Sequence, residues 1–278
     1  MFEIIYKEKL NPTVSLMKIH APRIAAKAEA GQFIILRVDE NGERIPLTIA
    51  DYDREKGSVT IIYQIVGATT MKLDSKEKGD FIADFAGPLG RPTETDGLKK
   101  VAVVGGGVGC AIAYPIAKKL AGMGCEVHSI VGFRNRELVI LEDEFKAVSN
   151  CMKVMTDEGS YGEKGLVTDA LKMLIDSGEK YDRVIAIGPL VMMKFVCKLT
   201  KEYDIPTTVS MNPIMIDGTG MCGGCRLTVD GRTCFACVDG PDFDGHKVDF
   251  DEAMKRGAMY RDFERHAYDK TCNLLNKA

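Results

Sequence analysis

Residues 1 to about 97 alternate apolar and polar positions in short runs, at 3–10, 13–20, 32–39 and 58–66, with turn residues between them. A period of two marks strands with one buried face, so this stretch predicts an antiparallel sheet or small barrel. Residues 63–73 run from such a strand through Gly67 into an apparent helix, with Thr69 or Thr70 placed as its N-cap. Backbone N–H groups and hydroxyls at a helix start suit a pyrophosphate; a capped helix after a strand bend is the plainer reading.

From residue 99 the pattern becomes strand, turn and helix in alternation. Residues 101–104 read as a buried strand, Gly105, Gly106, Gly107 and Gly109 as the turn, and 111–121 as a helix. Strands at 126–131, 152–156 and 183–187 alternate with helices at about 141–148, 167–177 and 190–203. Alternation at this spacing predicts a parallel sheet covered by helices. A glycine turn after its first strand places a nucleotide phosphate on the following helix, and a second turn, Gly188-Pro189, falls at the same strand edge, where ligands of open sheets collect. The pattern departs from GxGxxG, because Cys110 stands where the last glycine belongs. No acidic residue ends the second strand, which runs into Gly132, Phe133, Arg134 and Asn135. A mononucleotide-type half is therefore expected, against a turn that is merely tight.

Cys222, Cys225, Cys234 and Cys237 then form two CxxC pairs, four of the nine cysteines, followed from residue 251 by a helical tail bearing Tyr260, Phe263 and Tyr268. Such spacing admits a zinc site or an iron-sulfur cluster. Glycines at 218, 220, 223 and 224 free backbone N–H groups to face bridging sulfides, and Asp217 stands five residues before Cys222 as an alternative ligand. These features favour the cluster, while which four groups coordinate stays open at this level. The other five cysteines are scattered and read as buried small hydrophobes of a cytoplasmic chain. Composition narrows the classes further. A net charge of −3 without a basic stripe argues against nucleic acid; no run approaches the roughly 18 apolar residues of a membrane span, and the first ten residues lack a signal-peptide pattern.

With both halves and the loop in place, residues 1 to about 250 resemble the ferredoxin-NADP reductase superfamily. The likeness is greatest to the small, flavin-bearing subunits of NADH-dependent reduced ferredoxin:NADP oxidoreductases, also called sulfide dehydrogenases, and next to dihydroorotate dehydrogenase electron-transfer subunits. The specific pieces are ERIPLTIAD (43–51), the VGGGVG turn, TDEGSYGEKGLVTD (156–169), the IGP turn before Met192, and SMNPIMIDGTGMCGGC (210–225). The resemblance implies an N-terminal antiparallel FAD-binding barrel (1–97), a parallel-sheet NAD-binding domain (98–208), a 2Fe-2S loop (209–250) and a tail (251–278). It puts flavin contacts on Pro46, Leu47 and Thr48, with Arg44 one place early for the superfamily motif, on Tyr63 and Gln64, and on a phosphate turn of Gly67, Thr69 and Thr70. It puts NAD(H) on Gly105, Gly106, Gly107, Gly109, Asp157, Gly159, Gly188 and Pro189; Ile187 stands where the superfamily often has a Cys. In the dihydroorotate relatives the cluster pattern is Cx4CxxC with a distant Cys before Asp-Gly-Pro, which falls here on Asp217, Cys222, Cys225 and Cys237 and leaves Cys234 outside.

The implied function is electron transfer between NAD(H), FAD and a 2Fe-2S cluster within a bifurcating ferredoxin:NAD(P) oxidoreductase. The implied partners are a larger flavin and 4Fe-4S subunit and, through it, ferredoxin. No side-chain acid, base or nucleophile is required, since the cofactors carry the chemistry. The alternatives are an electron-transfer subunit of a dihydroorotate or sulfide dehydrogenase, and a zinc-stapled nucleotide-binding regulator.

Overall fold

The computed structural model describes residues 1–275; the last three residues of the expected tail lie outside them. The first unit is a seven-stranded antiparallel sheet curled into a nearly closed barrel. Its strands are β1 (Phe2–Asn11), β2 (Val14–His20), β3 (Phe33–Arg37), β4 (Arg44–Asp53), β5 (Ser58–Gln64), β6 (Phe81–Ile82) and β7 (Asp84–Leu89), in the order β6-β1-β2-β5-β4-β3-β7. Two short helices, α1 (Pro22–Ala25) and α2 (Ala68–Asp74), fill the corners. Period-two alternation does the sorting: in β2, Met17 and Ile19 point into the barrel while Lys18 and His20 point out. Strands β2 and β5 pair without a break from Val14↔Gln64 to His20↔Ser58, because a slip of one residue would turn that apolar face to water. Ile4, Ile34, Leu36, Ile49 and Ile61 complete the interior, each buried aliphatic contributing about 1.5–3 kcal/mol.

The second sheet contains β8 (Lys100–Gly106), β9 (Glu126–Phe133), β10 (Cys151–Thr156), β11 (Glu163–Lys164), β12 (Arg183–Ile187) and β13 (Thr207–Ser210), all parallel. Its order is β11-β10-β9-β8-β12-β13 plus one antiparallel edge strand. The chain steps outward from β8 to β10, then crosses to β12, so the topological switch falls between β8 and β12. Helices α3 (Cys110–Gly122), α4 (Glu142–Val148), α5 (Val167–Asp176) and α6 (Leu190–Glu202) cover the faces, close to the expected spans. The barrel shares both cores: Phe33 and Ile35 join the one under α5 and α6, Val14, Ala50 and Ile62 the one under α3.

The cysteine segment forms a hairpin of β14 (Arg226–Val229) and β15 (Arg232–Phe235). Asp230 and Gly231 both take positive φ, 52° and 70°, as a two-residue hairpin turn requires. Then come α7 (Ala236–Asp239), β16 (Asp242–Asp244), α8 (Phe250–Gly257) and α9 (Arg261–Leu275). Strand β16 is the antiparallel edge of the parallel sheet, and β13 straddles residues 208 and 209, so the cysteine segment is built onto the nucleotide-type sheet. Helix α9 touches α2 of the barrel and leaves Phe263 76% exposed. Among the described residues, no helix is long and apolar enough to cross a membrane.

Candidate nucleotide, flavin and cluster sites

A cavity of about 730 Å³ lies along the C-terminal edge of β8, β9 and β10, at the switch point. Gly106, Gly107, Asp157 and Pro189, four of the residues that the resemblance assigns to NAD(H), line it. Gly107 has φ +55° with no atom within 4 Å of a Cβ placed there, so its backbone faces open space at the start of α3. The remaining predicted glycines build the walls instead. A Cβ on Gly109 would lie 2.5 Å from the Ile187 carbonyl oxygen, which closes that position to a side chain, and one on Gly188 would lie 3.1 Å from Gly106 Cα, a tight contact between the two turns. Gly105 leaves room for Cys110 Sγ, which would lie 2.8 Å from a Cβ; a residue with a side chain therefore replaces the third fingerprint glycine without pushing the helix off the strand. Gly159 (φ +70°) packs on Lys164 away from the cavity. Arg134, which follows the second strand, brings positive charge to the site. Three residues of α6 that the sequence did not single out complete it: Val191 and Phe195 form an apolar lip and Lys198 adds a second cation, and their spacing along one helix was the available signal.

On the barrel, Pro46, Leu47 and Thr48 sit half-buried in β4, paired with Ile35, Ile34 and Phe33 of β3. Arg44, at the head of this strand, lies 3.8 Å from Asp84. Gln64 is half-buried at the end of β5. Gly67 is extended at the start of α2, with no atom within 4 Å of where a side chain would stand. That open, half-buried strip fits a flat ring system with a phosphate tail.

Two expected contacts change. Tyr63 is 1% exposed, and its hydroxyl points inward to Asp74 Oδ1 at 3.4 Å and Met17 Sδ at 3.6 Å. Burial, with the Asp74 carboxylate nearby, raises its phenol well above the usual range, so this side chain belongs to the barrel core and not to a flavin-facing surface. The Thr70 hydroxyl accepts from the N–H groups of Val66 and Gly67, both at 3.0 Å, and donates to the Gly67 carbonyl at 2.9 Å. It ties the turn together and takes two donors away from an anion. Thr69 stays at the surface, its hydroxyl 3.5 Å from Glu43.

In the cysteine loop the donors fall into two pairs. Cys225 and Cys237 are buried with their sulfurs 3.2 Å apart. Burial, with Cys225 beside it adding to the effect, raises the Cys237 thiol above the usual thiol range. The other pair is Asp217 and the exposed Cys222, whose N–H donates to the Asp217 carboxylate at 2.8 Å. The Thr219 N–H, also at 2.8 Å, and that of Cys222 hold this carboxyl below the usual range. Gly218, Gly220 and Gly223 all have positive φ, which turns the loop around these groups; the Gly224 N–H faces Cys222 Sγ at 3.5 Å. Among the described residues, no three of these donor atoms lie within 4.8 Å of one another. Cys234 sits on β15 opposite Leu227 and packs against the core. Arg256 of α8 braces the loop through the Gly224 carbonyl at 3.3 Å.

Residues 212–249 match the iron-sulfur cluster binding domain of dihydroorotate dehydrogenase B. A Thermotoga maritima homologue of the dihydroorotate dehydrogenase B (NAD(+)) electron transfer subunit is 47% identical over 96% of this chain and 94% of its own. The electron transfer subunit of Streptococcus mutans is 33% identical over 89% of this chain and all of its own. A chain of the NADH-dependent reduced ferredoxin-NADP oxidoreductase, solved in work on flavin-based electron bifurcation, superposes with a TM-score of 0.92 at 46% identity, covering 97% of both chains. At this identity and coverage, the chain belongs to the family of dihydroorotate dehydrogenase B electron-transfer subunits and their homologues, on a ferredoxin reductase-like fold.

Proposed function

We propose that this chain is the electron-transfer flavoprotein subunit of a cytoplasmic, flavin-based electron-bifurcating ferredoxin:NAD(P) oxidoreductase. The observation that carries the reading is the full-length superposition on a chain of the NADH-dependent reduced ferredoxin-NADP oxidoreductase, with the match extending through the cysteine loop. NAD(H) is the substrate of the cavity at the switch point. The Gly106-Gly107 turn at the start of α3 receives its pyrophosphate, and Val191 and Phe195 offer apolar surface at the mouth of the cavity. The barrel strip of Pro46, Leu47, Thr48 and Gln64, with the Gly67–Thr69 turn, holds FAD. Asp217, Cys222, Cys225 and Cys237 hold a 2Fe-2S cluster. When bound, FAD supplies conversion between hydride and single-electron chemistry and the cluster a one-electron relay. The residues' own work is placement: β4 and β5 orient the flavin edge, the glycine turns admit the nucleotide, and the folded loop keeps water from Cys225 and Cys237.

The partner in this reading is a larger oxidoreductase subunit carrying flavin and 4Fe-4S clusters, through which ferredoxin is reached. The Thermotoga and Streptococcus relatives, a homologue of and an electron transfer subunit of dihydroorotate dehydrogenase B, favour a second reading, electron transfer for a dihydroorotate dehydrogenase. Anaerobic purification with the co-purifying subunit tests both. The expected result for the complex is oxidation of NADH coupled to NADP and ferredoxin, and for this chain separated from its partner a flavin spectrum with iron and acid-labile sulfide at about two each. Zinc in place of iron, or a chain that takes up no flavin on reconstitution, would sink the proposal; reduction by dihydroorotate would favour the second reading.

A further inference from the structure

The end of β9, where this type of fold reads the adenosine ribose, carries an arginine and no acid. Arg134 lines the nucleotide cavity. By itself that would select a 2′-phosphate. The next strand changes the outcome. The loop after β10 runs alongside the one after β9, with the Asp157 N–H donating to the Phe133 carbonyl at 3.1 Å and the Glu158 N–H to the Arg134 carbonyl at 3.2 Å. This register sets Glu158 Oε1 3.3 Å from Arg134 Nε. Arg136, two residues on, lies over the Tyr161 ring at 5.3 Å, with the Ser160 hydroxyl holding its backbone N–H at 3.0 Å, and Lys198 reaches the cavity from α6.

We infer that Glu158, paired with Arg134, is the residue that selects NAD(H) over NADP(H). Its carboxylate accepts a ribose 2′-hydroxyl, while a 2′-phosphate meets a negative group and an arginine already engaged. The acid absent from the second strand is thus supplied by the third. The two side chains are 76% and 49% exposed, so their mutual attraction contributes little to folding and a change of charge here acts on the ligand more than on stability.

This inference rests on reading the cavity as a nucleotide site, and redox-inert ligands separate the two. ADP-ribose and 2′-phospho-ADP-ribose are titrated by calorimetry into the intact protein and its variants. The wild type is expected to favour ADP-ribose. Glu158→Gln is expected to shift the affinity ratio toward the 2′-phosphate by about tenfold or more, the scale of one charge-assisted hydrogen bond. Glu158→Asp keeps most of the original preference, and Glu158→Gln/Arg134→Gln loses the gained phosphate affinity. An unchanged ratio in Glu158→Gln, with both ligands bound and melting unaltered, overturns the inference alone. A wild type that favours the 2′-phosphate overturns it as well. Failure of the wild type to bind either ligand overturns the nucleotide reading of the cavity and this inference with it.

Discussion

At the scale of single residues, Asp217 and Cys234 decide the cluster assignment. Asp217 already accepts two backbone N–H groups, yet an ionised carboxylate has about four acceptor positions, so ligation by one oxygen is compatible with the turn it organises. Cys234 lies across the hairpin from the buried Leu227, against the core. Cys237→Ser is therefore expected to lose most of the iron and sulfide, whereas Cys234→Ser retains both. Asp217→Cys keeps a cluster but shifts its potential, because a carboxylate oxygen is a harder donor than a thiolate. Iron and sulfide analysis with electron paramagnetic resonance checks all three; cluster loss in Cys234→Ser with Asp217→Ala unaffected would reverse the ligand set. Residue types and spacing made these candidates visible in the sequence. The direction each side chain takes was not visible, since the hairpin register sets it.

At the scale of elements, two glycines of the first turn make contrasting predictions. Gly109→Ala drives a methyl group into the Ile187 carbonyl, 2.5 Å away and part of a buried strand, and should cost about 1–3 kcal/mol, lowering the melting temperature by several degrees. Gly107→Ala meets open space but takes on a left-handed φ, costing about 1 kcal/mol, and places its methyl where a phosphate would sit. It should weaken ADP-ribose binding far more than stability. Thermal melts and calorimetry on both variants separate the effects; equal loss of binding in both would remove the distinction. The strand-turn-helix alternation and the glycine turns were legible because period and turn chemistry are local. Strand β16 was missed because DFD has no apolar run of its own and exists only by pairing with β13.

At the scale of the molecule, one carboxylate ties three regions together. Asp242 of β16 accepts from the Thr93 hydroxyl of the interdomain linker at 2.6 Å, next to the Ser210 hydroxyl of β13, and its Oδ1 is buried without a hydrogen-bond partner among the described residues. Burial pushes its acid up to about 6. A carboxyl with a raised folded pKa is most stabilising while protonated, so its contribution is full below about pH 4 and is lost as pH rises through about 6. Relative to Asp242→Asn, the wild type should lose a few degrees of melting temperature across that window and run parallel above it. Melting curves from pH 4 to 8 test this; parallel curves throughout would mean that the group does not titrate there.

The chain's own pattern determined the two fold units, the glycine turns and the set of thiolate donors, because periodicity, turn conformation and ligand chemistry act over a few residues. Tertiary structure decided where those residues point. It turned Tyr63 into the barrel, spent the Thr70 hydroxyl on its own turn, set Glu158 beside Arg134 and packed Cys234 against the core. Each of these outcomes depends on register or packing between segments, which a local pattern leaves open.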